Sequence, residues 1–190
     1  MTRILFVILS IFLYPHSVLA DDIRSKVAGS DIPGMKINQI DPENHVYGIP
    51  WSSSEDVFIE TWGDPTGYIR FNAQETAMIY GKRHMFIFSN DRLSGLRITH
   101  NILDWQVSKK IPPNPIFDTI QWQLSNGIKE DSNLAEVKGV LGKSLNNKKY
   151  ERSYETANAK VILNFSHYTD AGETDQAYKL HGIMIERKQM

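Results

Sequence analysis

The sequence predicts an α+β fold of two tandem repeats, each a short helical segment packed on an antiparallel β-meander. The first observation is that landmarks recur at constant spacing: Gly48-Ile49 returns as Gly127-Ile128, and Trp62-Gly63 returns as Leu141-Gly142. The second is that each helix-like segment is followed by apolar and aromatic runs separated by turn residues, as in antiparallel strands. The third is a stretch between the copies, Pro112-Pro113-Asn114-Pro115, which fits neither a helix nor a central strand.

The first twenty residues have the pattern of a secretory signal peptide. Arg3 precedes an apolar run from Ile4 to Tyr14, and the segment ends in Val18-Leu19-Ala20, with small residues at the positions that a signal peptidase reads. The apolar run is too short to cross a bilayer as a helix. We therefore predict cleavage after Ala20, a periplasmic or secreted protein, and no membrane span in the mature chain.

The charge and cysteine content of the chain argue against one class of partner and exclude two covalent modifications. The formal net charge of the chain is −1, and loss of residues 1–20 removes one basic and no acidic side chain. A nucleic-acid partner is therefore not expected. The chain has no cysteine, which excludes disulfides and attachment of a lipid to a cysteine.

The repeat divides the chain into five parts. We predict a signal peptide at residues 1–20, a polar lead-in at 21–46, a first module at 47–100, a linker at 101–126 and a second module at 127–190.

A short helix opens each module. Ser52-Ser53-Ser54-Glu55 offers an N-cap and an acidic first turn, and Gly63 ends the apolar stripe that follows. In the second copy, Asp131-Ser132-Asn133 opens the equivalent helix and Gly142 ends it.

Three strands are expected after each helix. In the first copy they are Thr76 to Tyr80, Met85 to Ser89 and Leu93 to Ile98. In the second they are Ser153 to Ala157, Lys160 to Ser166 and Tyr178 to Glu186. The second copy also has a longer, acidic turn at Asp170 to Asp175. We interpret it as a solvated hairpin tip, because Gly172 and Glu173 do not occupy the positions of the glycine and the closing glutamate of an EF-hand calcium loop.

These landmarks together resemble a known module. The first copy carries Gly48, Trp62-Gly63-Asp64-Pro65 and Leu93-Ser94-Gly95-Leu96, and the second carries matching residues at Gly127, Leu141-Gly142 and Leu180 to Ile183. The pattern resembles the small α/β module of the outer-membrane β-barrel assembly lipoprotein (the SmpA/OmlA family) and of the β-lactamase inhibitory protein, which has two in tandem. This chain departs from both, since it lacks a lipobox cysteine and cysteine pairs. The resemblance implies a protein that binds other proteins and is not an enzyme.

One face of the predicted strands is a candidate partner surface. Alternation turns Phe86, Phe88, Val161, Leu163 and Phe165 toward the helices. The opposite face then carries Met85, Ile87, Lys160, Ile162 and Asn164, a mixture that suits a protein interface. The alternative is that the linker or the other module covers this face.

Two tryptophans of the predicted linker, Trp105 and Trp122, are further candidate partner contacts, although they could instead lock the modules together. The histidines show no metal-binding spacing, and His100 with Asp104 has no obvious nucleophile beside it. No catalytic residue, cofactor or metal is predicted.

The sequence therefore predicts an exported, non-catalytic protein-binding module, either an inhibitor or an accessory of envelope assembly, that uses the open sheet face. Two alternatives stay open. One is a carrier that holds a lipid or glycan between the modules, and the other is a hydrolase that uses His100 or His181.

Overall fold

A computed structural model describes residues 39–100, 102, 109–114, 116–142, 150–167 and 174–188. The predicted signal peptide, most of the predicted lead-in, Trp105 and most of the acidic turn lie outside these residues. Within the described residues, no helix combines the length and the apolar character that a membrane crossing requires.

The regular elements of the described residues are short helices and many strands. In chain order they are β1 (Gln39–Asp41), β2 (His45–Val46), β3 (Ile49–Pro50), α1 (Glu55–Trp62), β4 (Gly67–Arg70), β5 (Glu75–Tyr80), β6 (His84–Ser89), β7 (Arg92–Ile98), β8 (Gln123–Leu124), α2 (Leu134–Leu141), β9 (Glu151–Glu155), β10 (Ala159–His167), a 3-10 turn (Asp175–Ala177) and β11 (Tyr178–Arg187).

The strands form two sheets. The large sheet has seven strands in the order β4-β5-β6-β7-β11-β10-β9, and every neighbouring pair is antiparallel. The small sheet has four strands in the order β3-β2-β1-β8, and β1 and β8 run parallel.

The predicted fold class is wrong. The described chain is mostly β, with a seven-stranded and a four-stranded sheet in place of two tandem helix-on-meander repeats. The last strand of the first half, β7, pairs directly with β11, and the small sheet is built from the predicted lead-in and linker as well as the start of the first module. Two separate meanders would each expose additional unpaired strand edges. Joining them buries the apolar side chains at the seam completely, namely Leu96, Ile98, Ile183 and Ile185.

The main core lies on one face of the large sheet. Phe58 and Trp62 of α1 pack on Phe86 of β6, with ring centroids 5.0 and 5.2 Å from it. The second helix adds Leu134 and Val137 to the same cluster. The helices therefore lie on the side to which strand alternation directs the phenylalanines.

The two helices begin differently. At α1, Ser54 occupies the N-cap position but its side chain makes no cap, and the carboxylate of Asp91 accepts a hydrogen bond from the Glu55 amide instead, at 3.0 Å. At α2, Asn133 and Glu136 form a reciprocal capping box. The turn between β6 and β7, which holds Asp91, therefore fixes the start of α1.

Candidate binding surface

The face predicted to be open is covered over its first half. There Met85 and Ile87 belong to an apolar cluster that includes Ile102 and Ile111 of the predicted linker. The other members are Ile69, Ala77 and Ile79. So many adjacent aliphatic side chains would otherwise leave a large exposed apolar patch. Met85 is 5% exposed, so this half of the face is an interior surface, and the two partner contacts predicted on it lie beneath the linker.

The second half of the face, on β7, β11, β10 and β9, carries exposed charged side chains around buried or half-buried apolar ones. Lys160 is exposed and lies in register between Glu155 and Glu186 on the neighbouring strands. In the next row, Ile162 lies between Ser153 and Met184. We call this part of the sheet the exposed half-face.

The three predicted contacts on the exposed half-face differ in access. Lys160 is exposed and Asn164 is half-buried, whereas Ile162 is only 6% exposed. A partner on this surface would therefore touch the polar residues around Ile162 more than Ile162 itself.

Trp122 does not lie on a surface. It is fully buried in the main core, which makes it a packing residue and not a partner contact in this fold. Its indole nitrogen has no hydrogen-bond partner among the described residues.

A groove of about 760 Å³ lies at one end of the large sheet, where β3, the β6–β7 turn and the end of β11 meet. Its lining includes Trp51, Asn90, Arg92, Ser94, Arg187 and Lys188. These residues come from three distant parts of the sequence, so no local motif marks the groove. None of them was among the site residues predicted from the sequence.

Arg187 is held firmly in this groove. Its guanidinium carbon is 5.6 Å from the centroid of the Trp51 ring, and its Nη1 donates to the carbonyl oxygens of Pro42 at 2.6 Å and Glu43 at 3.3 Å. The Trp51 indole nitrogen donates in turn to the Asp41 carbonyl at 2.8 Å. Burial lowers the pKa of Arg187, and the carboxylates of Glu43 and Asp41 act in the opposite direction. The side chain stays charged at any physiological pH.

The other charged groups of the groove differ in the hydrogen bonds and ion pairs that they form. Nη1 of Arg92 donates to the Ser52 carbonyl at 3.5 Å. Lys188 pairs with Glu155 at 2.9 Å. The carboxylate of Glu43 accepts from the backbone and side-chain nitrogens of Asn158 at 3.2 and 2.6 Å. Within the described residues, neither arginine of the groove forms an ion pair.

Glu43 is fixed by neighbouring donors. Hydrogen bonds from the Thr156 side chain and from Asn158 lower the pKa of Glu43, although burial acts in the opposite direction. The carboxylate is therefore ionised at neutral pH and already supplied with donors.

A second polar cluster lies inside the protein, between the halves. The Tyr47 hydroxyl and Nε2 of His84 are hydrogen-bonded at 2.8 Å, and beside them Arg83 forms a largely buried ion pair with Glu130. Burial, reinforced by the charge of Arg83, lowers the pKa of His84 to about 3, although the Phe117 backbone acts the other way. A neutral histidine in this position stabilises the core and is not poised for acid–base chemistry near neutral pH.

The structure brings together the two histidines of the hydrolase alternative. His181 lies at the β-bulge of the β10–β11 pair, and its ring stacks on that of His100, with centroids 5.9 Å apart and planes at 14°. Burial lowers the pKa of His181, and the charge of His100 adds to this effect. In the described part of the chain, no three His, Asp or Glu side chains are grouped to hold a metal ion.

Comparison with known proteins does not identify a family. No protein-family model and no curated protein matches the chain. Among solved structures, a cysteine-rich secretory protein from Staphylococcus aureus subsp. aureus Mu50 is similar, with a TM-score of 0.43, 9% identity, and coverage of 80% of this chain and 51% of that one. This chain thus spans about half the length of that protein, and a similarity at this level carries no inference. The resemblance to the SmpA/OmlA lipoproteins and the β-lactamase inhibitory protein stays an expectation.

Proposed function

We propose that this protein is an exported, non-catalytic binding protein that holds another protein against the exposed half-face and the groove next to it. The role within that class, as an inhibitor or as an accessory of envelope assembly, depends on the partner.

The observation that carries this proposal is the continuity of the two surfaces. Glu186 and Gly95 are register partners at the end of the exposed half-face. Ser94, next to Gly95, and Lys188, two residues after Glu186, line the groove. A partner could therefore contact the exposed strands and the groove together.

The composition of the exposed half-face also supports a protein partner. Half-buried Met184 lies among the exposed charges of Arg97, Lys160 and Glu186. Protein interfaces commonly combine a small apolar centre with a polar rim. Charges of both signs on the rim would contribute specificity and the rate of association more than affinity.

The carrier alternative has less support from the geometry. The seam between the halves is a direct strand pair in which Ile98 faces Ile183 and Leu96 faces Ile185. All four side chains are fully buried. The seam is therefore filled with side chains, where the carrier alternative requires a lipid or glycan.

Photo-crosslinking in the envelope of the native host tests the proposal. A photoreactive amino acid at Lys160 or Arg97 places the crosslinker on the exposed half-face, and the same residue at Val140 of α2, which is 50% exposed, is the matched surface control. We expect one dominant protein adduct from the first two positions and none from the third. Adducts of equal yield at all three positions, or none at Lys160 and Arg97, would contradict the proposal. A small molecule that co-purifies with the chain in native mass spectra would favour the carrier instead.

A further inference from the structure

The groove contains a preorganised guanidinium whose hydrogen-bonding capacity is only partly used. One face of Arg187 lies toward the Trp51 ring, and its Nη1 is bound by the Pro42 and Glu43 carbonyls. The structure gives no hydrogen-bond partner for Nε or Nη2 of Arg187 within the described residues. A guanidinium fixed in this way loses little conformational entropy when it binds a ligand.

Arg92 adds a second guanidinium to the lining of the groove. Its hydrogen bond to the Ser52 carbonyl, at 3.5 Å, is long and therefore weak. This side chain can turn toward a ligand at small cost. The groove also carries neutral hydrogen-bonding groups, the Asn90 amide and the Ser52 hydroxyl, at its surface.

We infer that the groove binds the carboxylate of an acidic peptide segment of the protein partner, with Arg187 as the fixed anchor and Arg92 as the second donor. The inference rests on the proposed protein-binding function and names the chemistry that the groove recognises. Arginine suits a carboxylate because the planar fork of N–H groups can donate two parallel hydrogen bonds to its two oxygens.

The charge of the groove favours a single carboxylate over a polyanion. Its lining has three basic side chains and one acidic one, Glu43. Lys188 is already paired with Glu155, and Glu43 is bound by Asn158. The remaining positive charge is therefore small, and a nucleic acid or polyphosphate would need a larger cationic surface.

The aromatic content of the groove argues against a sugar ligand. Trp51 is the aromatic residue of the lining, and it is 4% exposed, with Arg187 over its ring. It does not offer an open ring face on which a sugar could stack. The volume, about 760 Å³, is within the usual range for a ligand site and suits a few residues of extended peptide.

A pair of peptides that differ only in charge tests the inference. The probes are acetyl-Gly-Ser-Glu-Ser-Gly-amide and the same peptide with glutamine in place of glutamate, titrated into the mature chain and followed by the NMR signals of the arginine Nε–H groups. We expect the acidic peptide to shift the Arg187 signal and to bind about tenfold more tightly than the neutral one, because a charge-assisted hydrogen-bond pair is lost with glutamine.

Three arginine variants locate the binding. Arg187→Gln and Arg92→Gln should each weaken binding of the acidic peptide about tenfold. Arg70→Gln, which removes an exposed arginine of β4 outside the groove lining, should leave the affinity unchanged. Arg187 also joins β11 to the Pro42 carbonyl by a hydrogen bond, so its replacement could change the fold as well as the groove. Circular dichroism of each variant therefore accompanies the titration. Arg92→Gln leaves this hydrogen bond in place and tests the groove independently of it.

Three results would overturn the inference. They are equal affinity for the two peptides, an equal loss of affinity with Arg70→Gln, or tighter binding of inorganic phosphate than of the acidic peptide. If the inference failed while crosslinks at Lys160 persisted, the proposed protein-binding function would stand and only the role of the groove would be wrong. If the crosslinks failed and peptide discrimination held, the groove would be a carboxylate site without the proposed interface.

Discussion

The Tyr47 hydroxyl and Nε2 of His84 meet at 2.8 Å inside the aromatic core, and this contact joins the turn between the small-sheet strands β2 and β3 to the large sheet. Tyr47 is 8% exposed and His84 is fully buried. The Tyr47 backbone has a φ of 50°, in the left-handed region that few non-glycine residues adopt. A position of this kind persists only when the surroundings hold it, and the hydrogen bond to His84 is one of the contacts that do so.

Stability should fall as the pH drops below the normal pKa of histidine. In the folded protein the pKa of His84 is about 3, against 6.5 for the ordinary group. Between these values the unfolded chain binds a proton that the folded chain does not, so the free energy of unfolding decreases by about 1.4 kcal/mol per pH unit from this group. Above about pH 6.5 this group no longer makes the free energy of unfolding depend on pH. Urea unfolding of the wild type and of His84→Gln, at several pH values from 7.5 to about 4, should show a shallower pH dependence in the variant.

The control for the pH prediction is His167→Gln, which keeps His84 in place. This variant should retain the wild-type dependence on pH. If the free energy of unfolding had the same slope against pH in the wild type and in His84→Gln, another group would govern the loss of stability in acid.

Removal of the Tyr47 hydroxyl should destabilise the fold. Tyr47→Phe leaves the shape of the core almost unchanged but takes a hydrogen-bond partner from His84 Nε2. A buried polar group without a partner costs about 1–3 kcal/mol. Tyr150→Phe, at a side chain that is 50% exposed, should cost less. Thermal or urea unfolding at pH 7.5 measures both variants, and equal losses would mean that the hydrogen bond does not contribute to stability.

Local structure could largely be predicted from the sequence. The predicted end of the first helix at Gly63 and of the second at Gly142 agree with α1 and α2, since both glycines adopt a positive φ that favours glycine. The alternation of apolar residues also assigned the phenylalanines of β6 to the core face. These signals are local, because each depends on residues only a few positions apart.

Strand neighbours could not be predicted in the same way. Alternation specifies which face a side chain occupies, but it contains no information about which strand lies beside which. The pairing of β7 with β11 therefore turned two expected modules into one sheet. The small sheet was missed because strands of two or three residues are too short to show a period.

The groove could not be predicted for a related reason. Arg187 bonds the carbonyl of Pro42, which lies 145 residues earlier in the chain. Contacts over such separations follow from the sheet order and not from local spacing. The burial of Met85 could not be predicted for the same reason. Ile102 and Ile111, which pack in the same cluster, come from a segment whose prolines indicate only a linker.

Two glycine-to-alanine changes should have opposite effects on stability. Gly81 has a φ of 65°, and a Cβ there would lie 2.3 Å from an Asp118 carboxylate oxygen. That carboxylate accepts hydrogen bonds from the Lys82 and Asn114 amides at 2.6 and 2.8 Å. Gly81→Ala should therefore cost about 2 kcal/mol or more. Gly139 lies in α2, and a Cβ there would meet nothing within 4 Å, so Gly139→Ala should stabilise the protein by up to about 1 kcal/mol.

Differential unfolding of these two variants checks the prediction. Because both variants replace glycine by alanine, the difference between their free energies of unfolding reflects the local environments of the two positions. A gain in stability from Gly81→Ala would mean that the turn after β5 accommodates a Cβ at low cost and that the Asp118 carboxylate does not stabilise it.

Met85 and Arg97 provide a test of which part of the sheet face is covered. They are register partners on adjacent strands β6 and β7 and point to the same side. Met85 packs against the cluster that contains Ile102 and Ile111, whereas Arg97 is exposed. Met85→Ala should cost about 2–5 kcal/mol because it leaves a cavity, and Arg97→Ala should change stability by less than about 0.5 kcal/mol. Urea unfolding measures both. Similar small effects would mean that the linker does not protect this half of the face in solution, and the partner surface would then extend across the whole sheet.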